Sequence, residues 1–146
     1  MSPAELQPYL YRHIPLSQAM KVRVESVSNE SVVLTAPLAP NINHQATVFG
    51  GSASALAILS AWSLVRCRLL AEGLDAELVI QRNQVEYQRP INGTFRASSS
   101  WATPDQWDRF VRTLAKRGKG RVLVDAVLTQ ASEPVGAFSG AFVALR

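Results

Sequence analysis

The segment at residues 51–70 constrains the fold of this chain more than any other. It contains no proline and is apolar on almost every side, with small residues between larger ones such as Leu56 and Trp62. Serines interrupt it and Arg66 and Arg68 close it, which makes its apolar part too short to span a bilayer. A helix that is apolar nearly all round must be enclosed by protein. The segment therefore predicts a buried central helix that the rest of the chain surrounds.

Strand-like patterns flank the predicted helix on both sides. The alternation in residues 20–27 places Met20, Val22 and Val24 on one face and charged side chains on the other. A turn at residues 28–30 leads into the β-branched segment 31–38, which predicts a hairpin. Four later segments are also rich in strand-forming residues, namely 77–88, 93–102, 120–130 and 135–145. The sequence thus predicts six strands.

Two capping boxes mark further helices. Ser2-Pro3-Ala4-Glu5 predicts a short helix that runs to about Tyr11. Thr103-Pro104-Asp105-Gln106 has the same pattern and precedes an apolar stripe that ends before Gly118. The stripe consists of Trp107, Phe110, Val111 and Leu114. We expect this second helix to cover an edge or a face of the sheet.

The order of the predicted elements indicates the fold class. Strands and helices do not alternate regularly, which disfavours a parallel, doubly wound sheet. A turn at residues 90–93 predicts that the strands 77–88 and 93–102 pair with each other. With 146 residues, 47% of them hydrophobic and 18% charged, the chain fits a single domain over residues 1–146. We predict an α+β fold in which a curved, mostly antiparallel sheet wraps a long central helix.

A pair of glycines opens the central helix and is the strongest candidate for chemistry. Gly50 and Gly51 have no Cβ atom, so a substrate can approach the backbone closely there. The first N–H groups of a helix lack intrahelical partners and lie at the positive end of its dipole. Such groups can hold a carbonyl oxygen as it becomes negative, as thioester chemistry requires. We expect Gly51 to be the main donor.

Polar residues on both sides of the glycine pair are further candidates, each with a structural alternative. Asn43 either binds a carbonyl, carboxylate or water, or stabilises its own loop. His44 is a general base or a donor to an acidic substrate, or an ordinary loop histidine. Ser52 caps the helix, donates to substrate, or does both. Ser60, about two turns further along, faces a substrate tunnel or is a small spacer.

The spacing of these residues resembles that of the hot-dog fold of acyl-thioester enzymes. Many members have an Asn six residues before a His-Gly-Gly triplet, and here Asn43 lies six residues before Phe49-Gly50-Gly51. Phe49 therefore replaces the usual histidine. Over nearly the whole chain, the sequence also resembles the putative thioesterase family named for the YiiD C-terminal domain. The resemblance lies in residues 14–17, 41–43, 47–52 and 87–93.

This resemblance implies an acyl-thioester enzyme, and malonyl-acyl-carrier-protein decarboxylation is associated with this kind of domain. We take four residues as candidate catalytic residues: Asn43, His44, Gly51 and Ser52. Seven more are candidate substrate-binding residues: Asn41, Thr47, Phe49, Gly50, Ser60, Glu86 and Arg117. The predicted substrates are acyl-CoA or acyl-carrier-protein thioesters, with no cofactor and no metal.

The distribution of acidic residues leaves the reaction open. No Asp or Glu occurs between Glu30 and Glu72, so the central helix and its entrance lack a carboxylate that could activate water. Hydrolysis would need His44 as base, or Glu86 from the same subunit or across a dimer interface. Decarboxylation of a malonyl thioester needs only stabilisation of the enolate. A non-catalytic hot-dog dimer that binds acyl chains is the third possibility.

The charge distribution indicates which kinds of partner the protein binds, and the cysteine content excludes two kinds of site. The net charge is +4, and five cations cluster between Arg112 and Arg121. No nucleic-acid module accompanies the cluster, so Arg117 and its neighbours are expected to meet CoA phosphates or an acidic carrier rather than nucleic acid. The single cysteine, Cys67, excludes an internal disulfide and a cysteine-rich zinc site.

Location and assembly are also predicted from the sequence. The first sixteen residues lack the basic start and apolar middle of a signal peptide. We therefore expect a cytoplasmic protein with no membrane partner. An isolated curved sheet exposes its edges, and edge pairing between copies removes them, so we expect a homodimer or a higher homo-oligomer.

Overall fold

Six antiparallel strands form one sheet around a long helix in the computed structural model, which describes residues 1–146. The strands are β1 Arg23–Val27, β2 Val32–Ala36, β3 Glu77–Tyr87, β4 Phe95–Trp101, β5 Lys119–Gln130 and β6 Glu133–Leu145. The helices are α1 Pro3–His13, α2 Pro15–Ala19, α3 Gly50–Ala71 and α4 Gln106–Arg117. The strand order is β1-β2-β4-β5-β6-β3. The predicted α+β architecture is confirmed.

The core lies between α3 and one face of the sheet. In β5 the side chains of Val122, Val124, Ala126 and Leu128 are buried, whereas the residues that alternate with them face outward. On α3, Leu56 and Leu64 are fully buried. Contrary to the expectation from its sequence, the helix is long and apolar enough to cross a membrane by length and composition, but 61% of its most apolar window is buried within this chain. It is the core helix of the domain, as its sequence predicts.

The first hairpin forms as predicted, but the predicted pairing of the third and fourth strands is wrong. β1 pairs with β2, whereas β3 pairs only with β6 and β4 lies between β2 and β5. The connection after β3 is held by other parts of the chain, since Val48 donates its N–H to the Ile91 carbonyl at 2.7 Å. The Asn92 N–H donates to the Gln130 side chain at 3.0 Å. These contacts carry the chain across the domain instead of reversing it onto β3.

Helix starts were predicted with mixed success. At α1 the Glu5 N–H donates to the Ser2 hydroxyl, which confirms the first capping box. The second capping box does not form, because α4 begins only at Gln106. The Gln106 side chain instead bonds the N–H and the carbonyl of Leu123, at 2.8 and 2.7 Å. A competing partner in the sheet thus replaces the local cap.

The strand predicted from residue 20 begins three residues later. A short helix, α2, precedes it, and Lys21 adopts a positive φ of 57°. Met20 and Val22 are nevertheless buried, as their alternation predicts.

The two edges of the sheet differ in how they are covered. At the β1 edge, Gln7 accepts a hydrogen bond from the Val24 N–H at 3.0 Å, and the Tyr11 hydroxyl donates to the Val22 carbonyl. At the β3 edge, only the start is covered. There Trp62 Nε1 donates to the Leu78 carbonyl at 3.1 Å, and Arg66 Nη1 donates to the Ala76 carbonyl at 3.2 Å. The outer side of β3 from residue 79 to residue 87 has no partner strand within this chain.

Candidate functional site

The N-terminus of α3 has two backbone donors with no partner. Phe49 is the cap residue, and its carbonyl accepts from the N–H groups of Ser52 and Ala53 at 2.9 and 3.2 Å. The N–H groups of Gly50 and Gly51 donate to no acceptor in the chain. They lie at the positive end of a 22-residue helix. This arrangement can bind an oxygen that carries or develops negative charge.

The cap itself corrects one prediction. No side chain caps α3, and Ser52 is the third residue of the helix rather than the residue before it. Ser52 is half-buried, and its hydroxyl makes no hydrogen bond within the chain.

The two glycines face different neighbours. A Cβ atom on Gly50 would lie 3.6 Å from the ring of Tyr87, an ordinary contact, and the Tyr87 hydroxyl donates to the Gly50 carbonyl at 3.2 Å. A Cβ atom on Gly51 would lie 2.3 Å from Cε2 of Phe49. The aromatic ring of Phe49 therefore occupies the space that any side chain at position 51 would need. Only glycine at position 51 is compatible with this placement of Phe49.

Asn43 shapes the loop that leads into α3. Its Oδ1 accepts from the N–H groups of Gln45 and Thr47 at 2.8 and 3.1 Å, and its Nδ2 donates to the Thr47 hydroxyl at 2.9 Å. Both ends of the amide are thus engaged with the loop itself. His44 lies in this loop, is exposed, and its side chain makes no hydrogen bond. These hydrogen bonds correspond to the loop-stabilising role, one of the two predicted for Asn43.

Asn41 is an internal anchor, and its prediction as a substrate-binding residue is wrong. It is 2% exposed, and its Nδ2 donates to the carbonyls of Met20 and Pro37 at 3.0 and 2.8 Å. Its own carbonyl accepts from the Phe49 N–H at 2.8 Å. Asn41 therefore fixes the position of the helix cap from inside the domain.

A cavity of about 350 Å³ opens beside the helix start. It is lined by Thr47, Val48, Gly50, Ala53 and the five residues from Tyr87 to Ile91. Arg89 is the only charged residue among them. Its Nη2 lies 3.4 Å from a carboxylate oxygen of Glu133 and 3.3 Å from the Pro134 carbonyl. The helix dipole and this guanidinium give the cavity a positive character. We call this cavity, together with the start of α3, the mouth.

Three predicted binding residues lie away from the mouth within the subunit. Ser60 is fully buried, and its hydroxyl donates to the Val32 and Ala97 carbonyls at 2.7 and 3.3 Å, so its prediction as a tunnel residue is wrong. Glu86 alternates with Val85 and Tyr87 and therefore points to the outer face of the sheet.

Arg117 lies at the other end of the domain. Arg117 is the last residue of α4, and Lys119 follows it at the start of β5. Lys119 pairs with Leu145 of β6, and Leu145 also pairs with Glu77 at the start of β3. Glu77 and Tyr87 are ten residues apart on β3, which corresponds to about 33 Å at about 3.3 Å per residue. Arg117 therefore does not reach the mouth of its own subunit.

The sequence did not predict Tyr87 and Arg89 as site residues. Both residues line the cavity because the segment after β3 packs against Val48 instead of turning back in a hairpin. The only local signal is an aromatic residue at the end of a strand, just before the Pro90 turn.

The cysteine adds no chemistry to the mouth, and no metal cluster lies there. Burial raises the pKa of the Cys67 thiol, and this residue lies in the core, far along α3 from Gly50. No group of three or more His, Cys, Asp or Glu side chains is placed to hold a metal ion.

Residues 3–146 match the model of the family described as "Putative thioesterase (yiiD_Cterm)". The chain belongs to this family. Its fold is the hot-dog fold, with the central helix enclosed by the curved sheet. The resemblance predicted from the sequence is thereby confirmed, and the family match supports a thioesterase-like function.

Solved structures share this fold over nearly the full length of this family member. A protein of unknown function from Chlorobaculum tepidum TLS is 26% identical, with a TM-score of 0.91 and coverage of 99% of this chain and 97% of that chain. A putative thioesterase from Shewanella oneidensis is 23% identical, with a TM-score of 0.84 and the same coverage. A protein from Pseudomonas aeruginosa described as "Probable Thioesterase" is 22% identical, with a TM-score of 0.77 and coverage of 98% and 95%.

Proposed function

We propose that the protein is an acyl-thioester hydrolase that binds the substrate carbonyl at the mouth. The observation that supports this most is the pair of unpartnered N–H groups of Gly50 and Gly51 at the positive end of α3. Gly50 lines the cavity directly, so it takes the first place among the donors. Thr47 lines the cavity, and the exposed ring of Phe49 lies against Gly51 next to it. Acyl-CoA and acyl-carrier-protein thioesters in the cytoplasm are the proposed substrates.

In this mechanism, the glycine amides stabilise the charge that develops on the carbonyl oxygen. Water attacks the thioester carbon, the electron pair of the C=O bond moves to oxygen, and collapse of the intermediate expels the thiol. Removal of one oxyanion-hole donor costs about 3–4 kcal/mol of transition-state stabilisation in a well-studied acyl-transfer enzyme. His44 is the proposed base, because it is exposed in the loop that leads into α3 and no carboxylate lines the cavity.

Decarboxylation of a malonyl thioester is the second candidate, and Arg89 supports it. The cavity is lined by one guanidinium and no carboxylate, and the exposed Glu133 beside it pairs with Arg89 at 3.4 Å, so a substrate carboxylate would share or replace that partner. Cleavage of the bond to that carboxylate releases CO₂ and leaves an enolate, whose oxygen is held by the glycine amides. Protonation at carbon then gives the acetyl thioester. This route uses no water-activating base.

Product analysis distinguishes the candidates. Malonyl-CoA, malonyl carrier protein and saturated acyl-CoAs of increasing length would be incubated with the protein, and free thiol and CO₂ measured separately. Thiol release supports hydrolysis, whereas CO₂ with an intact acetyl thioester supports decarboxylation. If neither product appears while the thioesters still bind, the protein is a binding module.

A substitution at the mouth tests the site itself. Gly50→Val places a branched side chain in the cavity with no steric conflict against the Tyr87 ring at the Cβ position. We expect kcat/KM to fall about a hundredfold, because the valine side chain keeps the substrate carbonyl away from the backbone donors, which the substitution itself leaves in place. The matched control is Ala71→Val, at the exposed last residue of the same helix, which should leave kcat/KM unchanged. Full activity in Gly50→Val would show that the chemistry occurs elsewhere.

We also propose that the protein forms a homodimer through the open edge of β3. The β1 edge is covered by side chains of α1, whereas β3 offers unpaired backbone groups from residue 79 to residue 87. Antiparallel pairing with a second copy would satisfy them. The same pairing brings the end of the sheet that carries Arg117 towards the mouth of the other subunit. There a cation is placed to meet CoA phosphates or an acidic carrier.

A further inference from the structure

The outer face of the sheet, which points away from α3, carries a cavity of about 480 Å³. It is lined by Gln81, Arg82 and Arg121, and all three side chains are exposed. We call it the arginine pocket. It shares no lining residue with the mouth, which lies on the α3 side of the sheet. The arginine pocket is therefore a separate feature of the molecule.

A bulge in β3 places two neighbouring side chains on the outer face. Ile80 pairs with Phe142 and Arg82 pairs with Ala141, so Gln81 is an extra residue without a partner on β6. Side chains alternate along a regular strand, and Arg82 would then face α3 as Ile80 does. A bulge changes this alternation and redirects the side chains that follow it. As a result, both Gln81 and Arg82 reach the outer face.

Arg121 reaches the same pocket from β5, on the other side of β6. It pairs with Val143, two residues along β6 from the partner of Arg82. Its Nε donates to Oε1 of Gln81 at 2.9 Å, and this hydrogen bond spans the width of β6. The bond restrains the plane of the guanidinium, whose two terminal nitrogens have no partner in the chain. Gln81 thus holds Arg121 in place and leaves these donors available to a ligand.

The pocket contains two positive charges and no negative one. No carboxylate lies within 4.0 Å of either guanidinium, and the Arg82 side chain makes no hydrogen bond within the chain. Two acidic residues flank the pocket on the same face. Glu77 shares its β6 partner with the cation Lys119, and Asp125 lies four residues further along β5 than Arg121. Two uncompensated guanidiniums that converge on one cavity attract an anion.

We propose that the arginine pocket binds a phosphate group between the guanidiniums of Arg82 and Arg121. Guanidiniums match the geometry of phosphate oxygens and donate charge-assisted hydrogen bonds to them in pairs. A phosphate monoester carries about 1.5–2 negative charges at pH 7, which two arginines balance. Ala141 and Val143 lie between the two arginines on β6, and these side chains are small enough to leave space above them.

This inference goes beyond the proposed function, because the pocket binds its ligand without turnover. The phosphate belongs to a small ligand free in solution or to CoA, and the chemistry that the arginines recognise is the same in both. Pairing of β3 with a second copy would use backbone groups at the strand edge, so it leaves the outer face open.

Binding of inorganic phosphate tests the pocket directly. Calorimetric titration at constant ionic strength, set with chloride, keeps unspecific screening the same throughout. We expect one phosphate per wild-type subunit, and we expect Arg82→Gln and Arg121→Gln each to weaken binding at least about tenfold. The matched control is Arg23→Gln, which removes an exposed arginine from the same face at the opposite edge of the sheet. Equal phosphate affinity in all three variants, or no phosphate binding by the wild type, overturns the proposal.

Gln81 is a positioning residue in this proposal, and two substitutions test that role. Gln81→Leu removes the acceptor for Arg121, so phosphate affinity should fall about threefold. Gln81→Glu keeps an acceptor but adds a negative charge beside the anion, so its loss of affinity should be larger and should shrink as salt is raised. Thermal melting should change little in both variants, because the side chain is exposed. Unchanged phosphate affinity in both variants refutes the positioning role.

Competition identifies the source of the phosphate. CoA carries a 3′-phosphate that dephospho-CoA lacks, whereas both contain the pyrophosphate. If CoA alone displaces inorganic phosphate, the pocket takes the 3′-phosphate, and Arg82→Gln should raise KM for acyl-CoA but not for the matching acyl-dephospho-CoA. Displacement by both coenzymes assigns the pocket to the pyrophosphate. Displacement by neither assigns it to a separate phosphorylated ligand. Phosphate binding in a protein without thioesterase activity would refute the hydrolase and retain the pocket, and turnover without phosphate binding would do the opposite.

Discussion

Ser60 fixes the central helix to the sheet through its hydroxyl. The Oγ donates to the Val32 carbonyl at 2.7 Å, and the Ser99 hydroxyl donates to the same carbonyl at 3.1 Å. The Val32 N–H donates back to Ser99 Oγ at 3.1 Å. All three residues are buried, so this small network replaces backbone pairing at the start of β2. Ser60 therefore positions α3, whose first residues form the mouth.

Removal of this hydroxyl should affect stability and not substrate binding. Ser60→Ala loses a buried hydrogen bond but leaves Val32 bonded to Ser99, so we expect the free energy of unfolding to fall by about 1 kcal/mol. Urea denaturation measures this change, and KM for an acyl-CoA should not move. The control is Ser54→Ala, a half-buried position on the same helix. A changed KM with unchanged stability would instead indicate that Ser60 contacts the substrate.

The candidate site residues differ in whether the local sequence determines their role. The glycine pair is predictable, because a helix start is defined by local sequence and its first amides are free by geometry. Asn41 and Ser60 have the same polar groups as the candidate site residues. Their roles depend on carbonyls that are distant in sequence, and no local pattern reports these.

At the scale of elements, an ion pair on the outer face connects β1 with β4. The Arg96 guanidinium bonds both carboxylate oxygens of Glu25, at 2.6 and 2.8 Å, across the intervening strand β2. The hydrogen bond from Arg96 lowers the pKa of Glu25 below its usual value of 4.5. Both side chains are largely exposed, so solvent screens the pair. The pair helps to keep the short strand β1 in register.

The pH dependence of this pair follows from the direction of the pKa shift. Because the folded-state pKa of Glu25 is lowered, the stabilisation is complete above the unfolded-state pKa and is lost as the pH falls through the folded-state pKa. At pH 7, Glu25→Gln should lower the free energy of unfolding by less than about 1 kcal/mol. The difference should shrink steadily below pH 4.5. Asp105→Asn, an exposed carboxylate outside any ion pair, is the control. A difference that grows on acidification would contradict this role for the pair.

The sequence predicted a helix start correctly where the capping partner is a neighbour in sequence. It failed where a residue distant in sequence binds the same side chain. The Ser2 cap forms because nothing else engages Glu5, whereas the cap predicted at Thr103 gives way to the bonds between Gln106 and Leu123. The failed hairpin after β3 has the same cause. Turn residues determine that the chain bends, but the neighbours of Ile91 and Asn92 determine where it goes next.

At the scale of the whole molecule, the contrast between the two sheet edges predicts how the protein assembles. Side chains of α1 seal the β1 edge, and those of α3 seal only the first residues of β3. Natural sheets avoid long exposed edges, so the free segment at 79–87 calls for a partner.

A charge at the centre of the free edge tests the assembly. Asn83 lies in the middle of the free segment 79–87, so Asn83→Lys would bring the like charges of two paired subunits close together, and we expect the dimer dissociation constant to rise at least about tenfold at low salt. Sedimentation velocity over a range of concentrations measures it. The control is Asn29→Lys, which adds the same charge in the exposed turn between β1 and β2, outside the proposed interface. Equal dissociation constants for the two variants would exclude β3 as the interface.

The sequence by itself determined the central helix, the six strands, the fold class and the glycine pair at the helix start. These follow from periodicity, local propensity and the geometry of helix ends, all of which operate within a few residues. Tertiary structure alone decided that β3 is an edge strand, that Tyr87 and Arg89 line the mouth, and that Asn41 and Ser60 are internal anchors. Each of these depends on which distant backbone groups find each other, and chain topology sets that choice.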